Sequence, residues 1–157
     1  MASVIVTASS ETHCREGLLR VATGTIAFAS NGHADVIRIT DEVRDTVRQA
    51  DVHHGTVTVF APGATGAITT IEYEPGVVQD LQEVLESVVP SSHAWQHNIN
   101  NGDGNGHSHV RAGLVGPSLT IPIVDGRLTL GRWQEIVFCD FDARPRQRSL
   151  VAQVMGI

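Results

Sequence analysis

Lysine is absent: all 11 basic residues of this 157-residue chain are arginine. That excludes a Schiff-base lysine and any phosphate-binding loop built on Gly-Lys-Ser/Thr. Cysteine is scarce. Cys14 and Cys139 stand far apart and form no Cys-x-x-Cys pair, a usage that suits a reduced compartment. Cys139 lies in an apolar strand pattern and reads as a small core residue, while Cys14, beside His13 and Arg15, has no evident pocket to make its thiol reactive. Net basic charge is missing too: at −6 the chain lacks the broad cationic face that nucleic-acid backbones require. No apolar run reaches membrane-spanning length, and Met1-Ala2-Ser3-Val4-Ile5-Val6 has neither the basic segment nor the long apolar core of a signal peptide. A cytoplasmic protein without nucleic-acid or membrane partners is expected.

What is present fits one domain with a sizeable core. Residues 18–30 and 33–40 are strand-like and flank Asn31-Gly32, a strong hairpin signal because both central residues must accept positive φ. Thr40 is a plausible N-cap for a helix ending near Asp51, with Asp41 and Glu42 favouring its dipole and Val43, Val47 and Ala50 as its apolar stripe. His53-His54 reads as a solvated pair at a strand edge, one ring on each face. Strands are expected over 55–60 and 66–73, and then a helix from Pro75 to Pro90 on Val77, Leu81, Val84, Leu85 and Val88. A short helix over 110–115 precedes strands over 118–124 and 127–130 around Asp125-Gly126, a second hairpin signal. Strands over 133–141 and 149–155, separated by an Arg-rich turn over 142–148, complete an α+β fold of largely antiparallel strands with two or three helices.

The chemistry concentrates in residues 97–109. Asn101-Gly102, Asp103-Gly104 and Asn105-Gly106 demand open turns, so the stretch reads as a shaped loop rather than a helix or central strand. It carries His97, His107 and His109, enough imidazoles for a zinc-like divalent metal ion with one position left for water. His107 and His109 share a face only on an extended backbone; on a helix they diverge by roughly 200°. Asn101, Asp103, Asn105 and Gly106 match the opening of a calcium loop, but Ala112 stands where the bidentate Glu belongs, which rules that reading out. Arg144, Arg146 and Arg148, with Arg132 ahead of the preceding strand, concentrate positive charge in an acidic protein. Guanidinium groups hold phosphates bidentately, so a phosphorylated or carboxylated small molecule is a reasonable partner, with solvation or pairing to Asp140 and Asp142 as the alternative. Glu72, ending an apolar strand, is the carboxylate available as general base or proton shuttle; a solvent-facing strand terminus is the other reading.

The runs Asn105-Gly106-His107-Ser108-His109, Gly116-Pro117-Ser118-Leu119-Thr120, Gly126-Arg127-Leu128-Thr129-Leu130-Gly131-Arg132-Trp133-Gln134 and Asp140-Phe141-Asp142 with Arg144-Pro145-Arg146 together resemble the YjbQ-like family, whose members are assigned secondary thiamine-phosphate synthase activity. The resemblance covers nearly the whole chain. It implies a β-sandwich-like α+β domain assembled as a homotrimer, a polar cleft with His97, His107 and His109 as metal-site candidates, and a capacity to join a pyrimidine pyrophosphate to a thiazole phosphate. Arg144, Arg146 or Arg148 would then hold phosphate oxygens. Many members resemble His-Thr-Thr-Ala-Ala where this chain has Gly63-Ala64-Thr65-Gly66-Ala67. Gly63 thus stands in place of a site histidine, while Thr65, Ala67 and Glu72 match. The expected function is a metal-binding, thiamine-phosphate-synthase-like transferase. A non-catalytic trimer binding small anions or metal, and a metal-assisted hydrolase using Glu72, are the alternatives.

Overall fold

Strand β7 (Gln134–Asp140) organises the core. Its consecutive apolar residues Ile136, Val137, Phe138 and Cys139 are at most 1% exposed, because successive side chains point to opposite faces and both faces are covered. Ile136 and Phe138 enter one apolar cluster, Val137 and Cys139 another. Burial pushes the Cys139 thiol pKa up to about 12, as befits an inert core residue. The computed structural model describes residues 10–157; the segment over 1–6, on which the signal-peptide reading rests, lies outside the described residues.

Around β7 the chain lays out β1 (Arg20–Ser30), β2 (Asp35–Arg38), α1 (Thr40–Ala50), β3 (Gly55–Phe60), β4 (Gly66–Glu72), α2 (Pro75–Val88), α3 (Gln96–Asn101), α4 (Gly106–Val115), β5 (Ser118–Val124), β6 (Arg127–Leu128) and, last, β8 (Arg146–Gly156). The result is an α+β domain with two antiparallel sheets, one of five strands in the order β1-β8-β3-β5-β6 and one of three in the order β2-β7-β4. Ile26, Val57, Val59, Leu150 and Val154 of the larger sheet meet Ile68, Ile136 and Phe138 of the smaller, and Val43 and Val47 of α1 complete that cluster. The other face of the smaller sheet is covered by Leu85 of α2 and Ala112 of α4. Among the described residues no helix is long and apolar enough to cross a membrane.

Residues 18–30 and 33–40 do not form a hairpin. β1 pairs along its whole length with β8, from Arg20 opposite Gly156 to Ser30 opposite Arg146, while β2 pairs with β7 in the other sheet. Asn31-Gly32 marks the crossing between sheets. Gly32 has φ +71°, and a Cβ there would lie 2.6 Å from the carbonyl oxygens of Asp142 and Arg144. The dipeptide specifies the backbone angle, but the partner is set by which sheet buries the next apolar face.

Residues 97–109 are not an irregular loop either. They hold most of α3 and the start of α4, and Gly102, at φ 71°, is the left-handed C-cap of α3. An Asn-Gly pair there stops a helix instead of opening a loop. Among the described residues the helices therefore number four, α3 being the addition to the expected two or three. The Arg-rich turn is shorter than expected as well, since Arg146 and Arg148 already belong to β8. Thr40 does not cap α1; its buried Oγ1 accepts from the Ile136 amide at 2.8 Å and ties the helix to β7. The expected β5–β6 hairpin and the 75–90 helix do form, the latter capped by the Glu74 carboxylate, which accepts from the Gly76 and Val77 amides.

Candidate functional site

Helix α4 starts at Gly106, whose amide donates to Asn98 Oδ1 at 2.8 Å and so locks α3 against α4. Because the backbone is helical from that point, His107 and His109 diverge. His109 meets His97, with ring centroids 4.5 Å apart at 63°. His107 turns inward, 5% exposed, with Nδ1 lacking a hydrogen-bond partner among the described residues. Burial, followed by the nearby Arg111 guanidinium, lowers its pKa and keeps the ring neutral. The structure therefore brings together two of the three expected imidazoles.

Their tautomers bear on what they can bind. His109 Nδ1 lies 2.9 Å from the Ala64 carbonyl oxygen, which can only accept, so Nδ1 carries the proton and Nε2 keeps its lone pair. Asn101 Nδ2 donates to His97 Nδ1 at 3.1 Å. The His97 Nε2 is buried and stands 2.9 Å from Asp103 Oδ1, outside the angular range of a hydrogen bond, and has no other partner among the described residues. Among the described residues no three His, Cys, Asp or Glu side chains are gathered as a metal-holding group. The convergent donors are His97 Nε2 and Asp103 Oδ1, with the His109 ring alongside.

Asp103 and Asn105 also form one wall of a cleft of about 320 Å³ whose opposite wall carries Asp142, Arg144 and Arg146. The Ser108 hydroxyl donates to the Phe141 carbonyl and holds the two walls together. Arg144 is exposed and makes no ion pair among the described residues. Arg146 Nε donates to Asp142 Oδ2 at 2.8 Å. Burial works against the Asp142 carboxylate, but the Arg146 hydrogen bond and charge and the Thr65 hydroxyl outweigh it, and its pKa falls below the usual range. Arg148 is a structural cation instead. It grips the fully buried Asp140 carboxylate with two nitrogens and reaches Thr65 Oγ1 at 3.0 Å.

Glu72 is exposed at the far end of β4, opposite Gln134. It lies six positions along the strand from Gly66, about 20 Å at the usual rise, so within one chain it does not join the histidines. Gly63, at φ 127° and with open space where a Cβ would sit, immediately precedes the Ala64 that holds His109. Sequence reasoning weighed Asp103 only as a calcium-loop ligand and Thr65 only as a match to the family motif; it missed Ser30 as an anchor of the buried Asp140 and Arg111, 3% exposed and bound to Glu86 and the Val89 carbonyl. Asp103, lying between the histidines, and Thr65, in the family motif, carried a signal; Ser30 and Arg111 carried none.

The model for the family described as UPF0047 protein YjbQ-like matches residues 24–157. A UPF0047 protein of Archaeoglobus fulgidus is 36% identical over 121 residues, covering 77% of this chain and 91% of the relative. YugU of Bacillus subtilis, also a UPF0047 protein, is 31% identical over 134 residues, covering 84% and 98%. A YbjQ-like protein of unknown function from Sulfolobus solfataricus superposes with a TM-score of 0.85 at 26% identity, covering 88% of this chain and 99% of that one. An uncharacterised YjbQ/UPF0047 protein from Clostridium acetobutylicum superposes at 0.76 with 33% identity, covering 83% and 98%.

Proposed function

The chain belongs to the YjbQ-like UPF0047 family, and from that premise we propose a metal-binding enzyme that acts on phosphorylated small molecules in the cleft between α3–α4 and the 141–145 turn. One observation carries the reading: a buried imidazole nitrogen, His97 Nε2, lacks a hydrogen bond and faces the Asp103 carboxylate at 2.9 Å. An imidazole nitrogen beside a carboxylate is a donor set that suits zinc and similar ions. His97 and Asp103 would hold the ion once the Asn101 side chain flips, so that its Oδ1 replaces the Nδ2 that donates at 3.1 Å and accepts from a protonated His97 Nδ1, and His109 would add its free Nε2. When bound, such an ion neutralises charge on a phosphoryl leaving group.

The chain's own residues supply the rest. Arg144, free of carboxylates, and Arg146, oriented by Asp142, present planar donors to phosphate oxygens. His107 supports the α4 packing from inside. The specific reaction we propose is the one the family resemblance implies, joining a pyrimidine pyrophosphate to a thiazole phosphate to give thiamine phosphate and release pyrophosphate. The proposal includes a cytoplasmic homotrimer. A non-catalytic reading, in which the protein binds metal and a small anion without turnover, is favoured by the absent side chain at Gly63 and the remote Glu72.

Metal analysis of the parent and of His97→Ala, His109→Ala and His107→Ala variants tests the proposal, followed by a thiamine phosphate assay on the two precursors with zinc or manganese supplied. Near-stoichiometric metal lost in His97→Ala and weakened in His109→Ala, but kept in His107→Ala, is the expected result. No metal in the parent after zinc addition sinks the metal site. Metal and anion binding without product establishes the non-catalytic reading.

A further inference from the structure

A second cavity, about 550 Å³, lies between α1 and the β5–β6 hairpin and shares no lining residue with the cleft between Asp103 and Arg146. Its volume lies in the range of small-molecule sites. Val47, 2% exposed, and the half-buried Leu128 give it an apolar floor continuous with the core. Above the floor stand Arg44, Arg48 and Arg127. Arg44 and Arg48 are one helical turn apart and therefore share a face of α1. In a chain of net charge −6, this lining sets three guanidinium groups against the carboxylates of Asp45 and Asp51, a balance on the positive side.

Two acids also line this cavity, and each is already neutralised. Asp45 pairs with Arg48 at 2.9 Å and Asp51 with Arg20 at 2.9 Å. Arg44 bonds Asp41 through one nitrogen, leaving further N–H groups to donate. Arg127 makes no ion pair among the described residues. The walls are fixed before any ligand arrives. Asp125 and Gly126, at φ 50° and 73°, form the tight turn of the hairpin. The Gly126 amide donates to the His53 carbonyl at 2.9 Å, and His54 Nε2 stands 3.5 Å from Asp125. A rigid pocket with an uncompensated guanidinium over an aliphatic floor selects an anion that carries a compact apolar body.

We propose that this cavity is a second ligand site, distinct from the cleft lined by Asp103 and Arg144, for a small organic phosphate whose apolar part rests on Val47 and Leu128 and whose charged group meets Arg127 and Arg44.

Phenyl phosphate is the probe, titrated calorimetrically into the full-length protein at low salt, with inorganic phosphate and phenol as separate arms. Amide NMR shifts at Gly126 and Val47 locate the binding. Phenyl phosphate is expected to bind at least about tenfold tighter than either fragment and to lose about tenfold or more in Arg127→Ala. The same loss is expected in Arg44→Ala, and none in His97→Ala. Thermal melts confirm that these exposed substitutions leave the fold intact. Equal affinity for inorganic phosphate or for phenol overturns the ligand class. No saturable binding, unchanged binding in both arginine variants, or binding lost only in His97→Ala overturns the site. A change in association state in Arg127→Ala, without ligand binding by the parent, assigns the cavity to contacts between copies of the chain and likewise overturns it.

Discussion

Arg144 and Arg148 sit four residues apart and do different work, and the difference is burial. Arg148, 14% exposed at its side chain, neutralises an Asp140 carboxylate that has no access to water. Arg148→Ala strands that charge and is expected to cost about 3–5 kcal/mol, read as a loss in urea-denaturation free energy; a loss within 0.5 kcal/mol would disprove the structural role. Arg144→Ala should change stability by less than about 0.5 kcal/mol yet weaken binding of a phosphorylated compound in the cleft about tenfold, measured by titration. Unaltered affinity removes Arg144 from the site. Position 63 offers the reverse experiment. Gly63→His places an imidazole beside Ala64 and His109, at a backbone angle of φ 127° that costs about 1–3 kcal/mol for a side-chain-bearing residue. Zinc affinity should rise about tenfold or more despite that strain, and a competition titration with a chelating dye decides it.

Three Asn-Gly or Asp-Gly pairs acquire three roles at the level of elements. Gly32 turns the chain from one sheet into the other, Gly102 ends α3, and Gly126 closes the β5–β6 hairpin, all at positive φ. Gly32→Ala combines an unfavourable backbone angle with a Cβ 2.6 Å from two carbonyl oxygens of the 141–145 turn. It should destabilise by about 1–3 kcal/mol and also loosen anion binding, because that turn carries Arg144. Gly102→Ala meets open space and should cost only about 1 kcal/mol. Comparable chemical-denaturation losses for the two would show that close approach at Gly32 plays no part. The turn chemistry was legible in the residues; which elements the turns join was not, since β1 finds its partner in β8 more than a hundred residues away.

For the whole molecule, acid stability follows from Glu86. Amide donation from Ser91, then Arg111, lowers its pKa from 4.5 to about 2. A carboxylate depressed in the folded state contributes stability above its unfolded pKa and loses it as pH falls. The protein should therefore weaken between pH 4.5 and about 2, with Asp142 acting in the same direction. Glu86→Gln should flatten that acid limb slightly, since the side chain is 49% exposed and solvent screens the pair. An unchanged slope in pH-dependent thermal melts would disprove the link. The proposed homotrimer is tested by sedimentation equilibrium, which should return three times the chain mass, and a Trp133→Glu variant, altering a residue 62% exposed, shows whether that face is used.

Composition and period were enough to determine an α+β domain of antiparallel strands, the helix that begins at Pro75 and the β5–β6 hairpin, because these depend on local alternation, capping and turn residues read within a dozen positions; the family was legible only in the motif runs spaced from Asn105 to Arg146. The pairing of β1 with β8 and of β2 with β7 depended on which apolar face each sheet had left to bury. The fate of the histidines depended on a single local choice made under tertiary packing. Asn98 and Ser108 dock α3 and α4 against each other and against Phe141, and that makes the backbone at Gly106 helical. Helical geometry then sends His107 into the interior and His109 to His97, a separation that spacing alone leaves open because two residues apart means one face on a strand and nearly opposite faces on a helix.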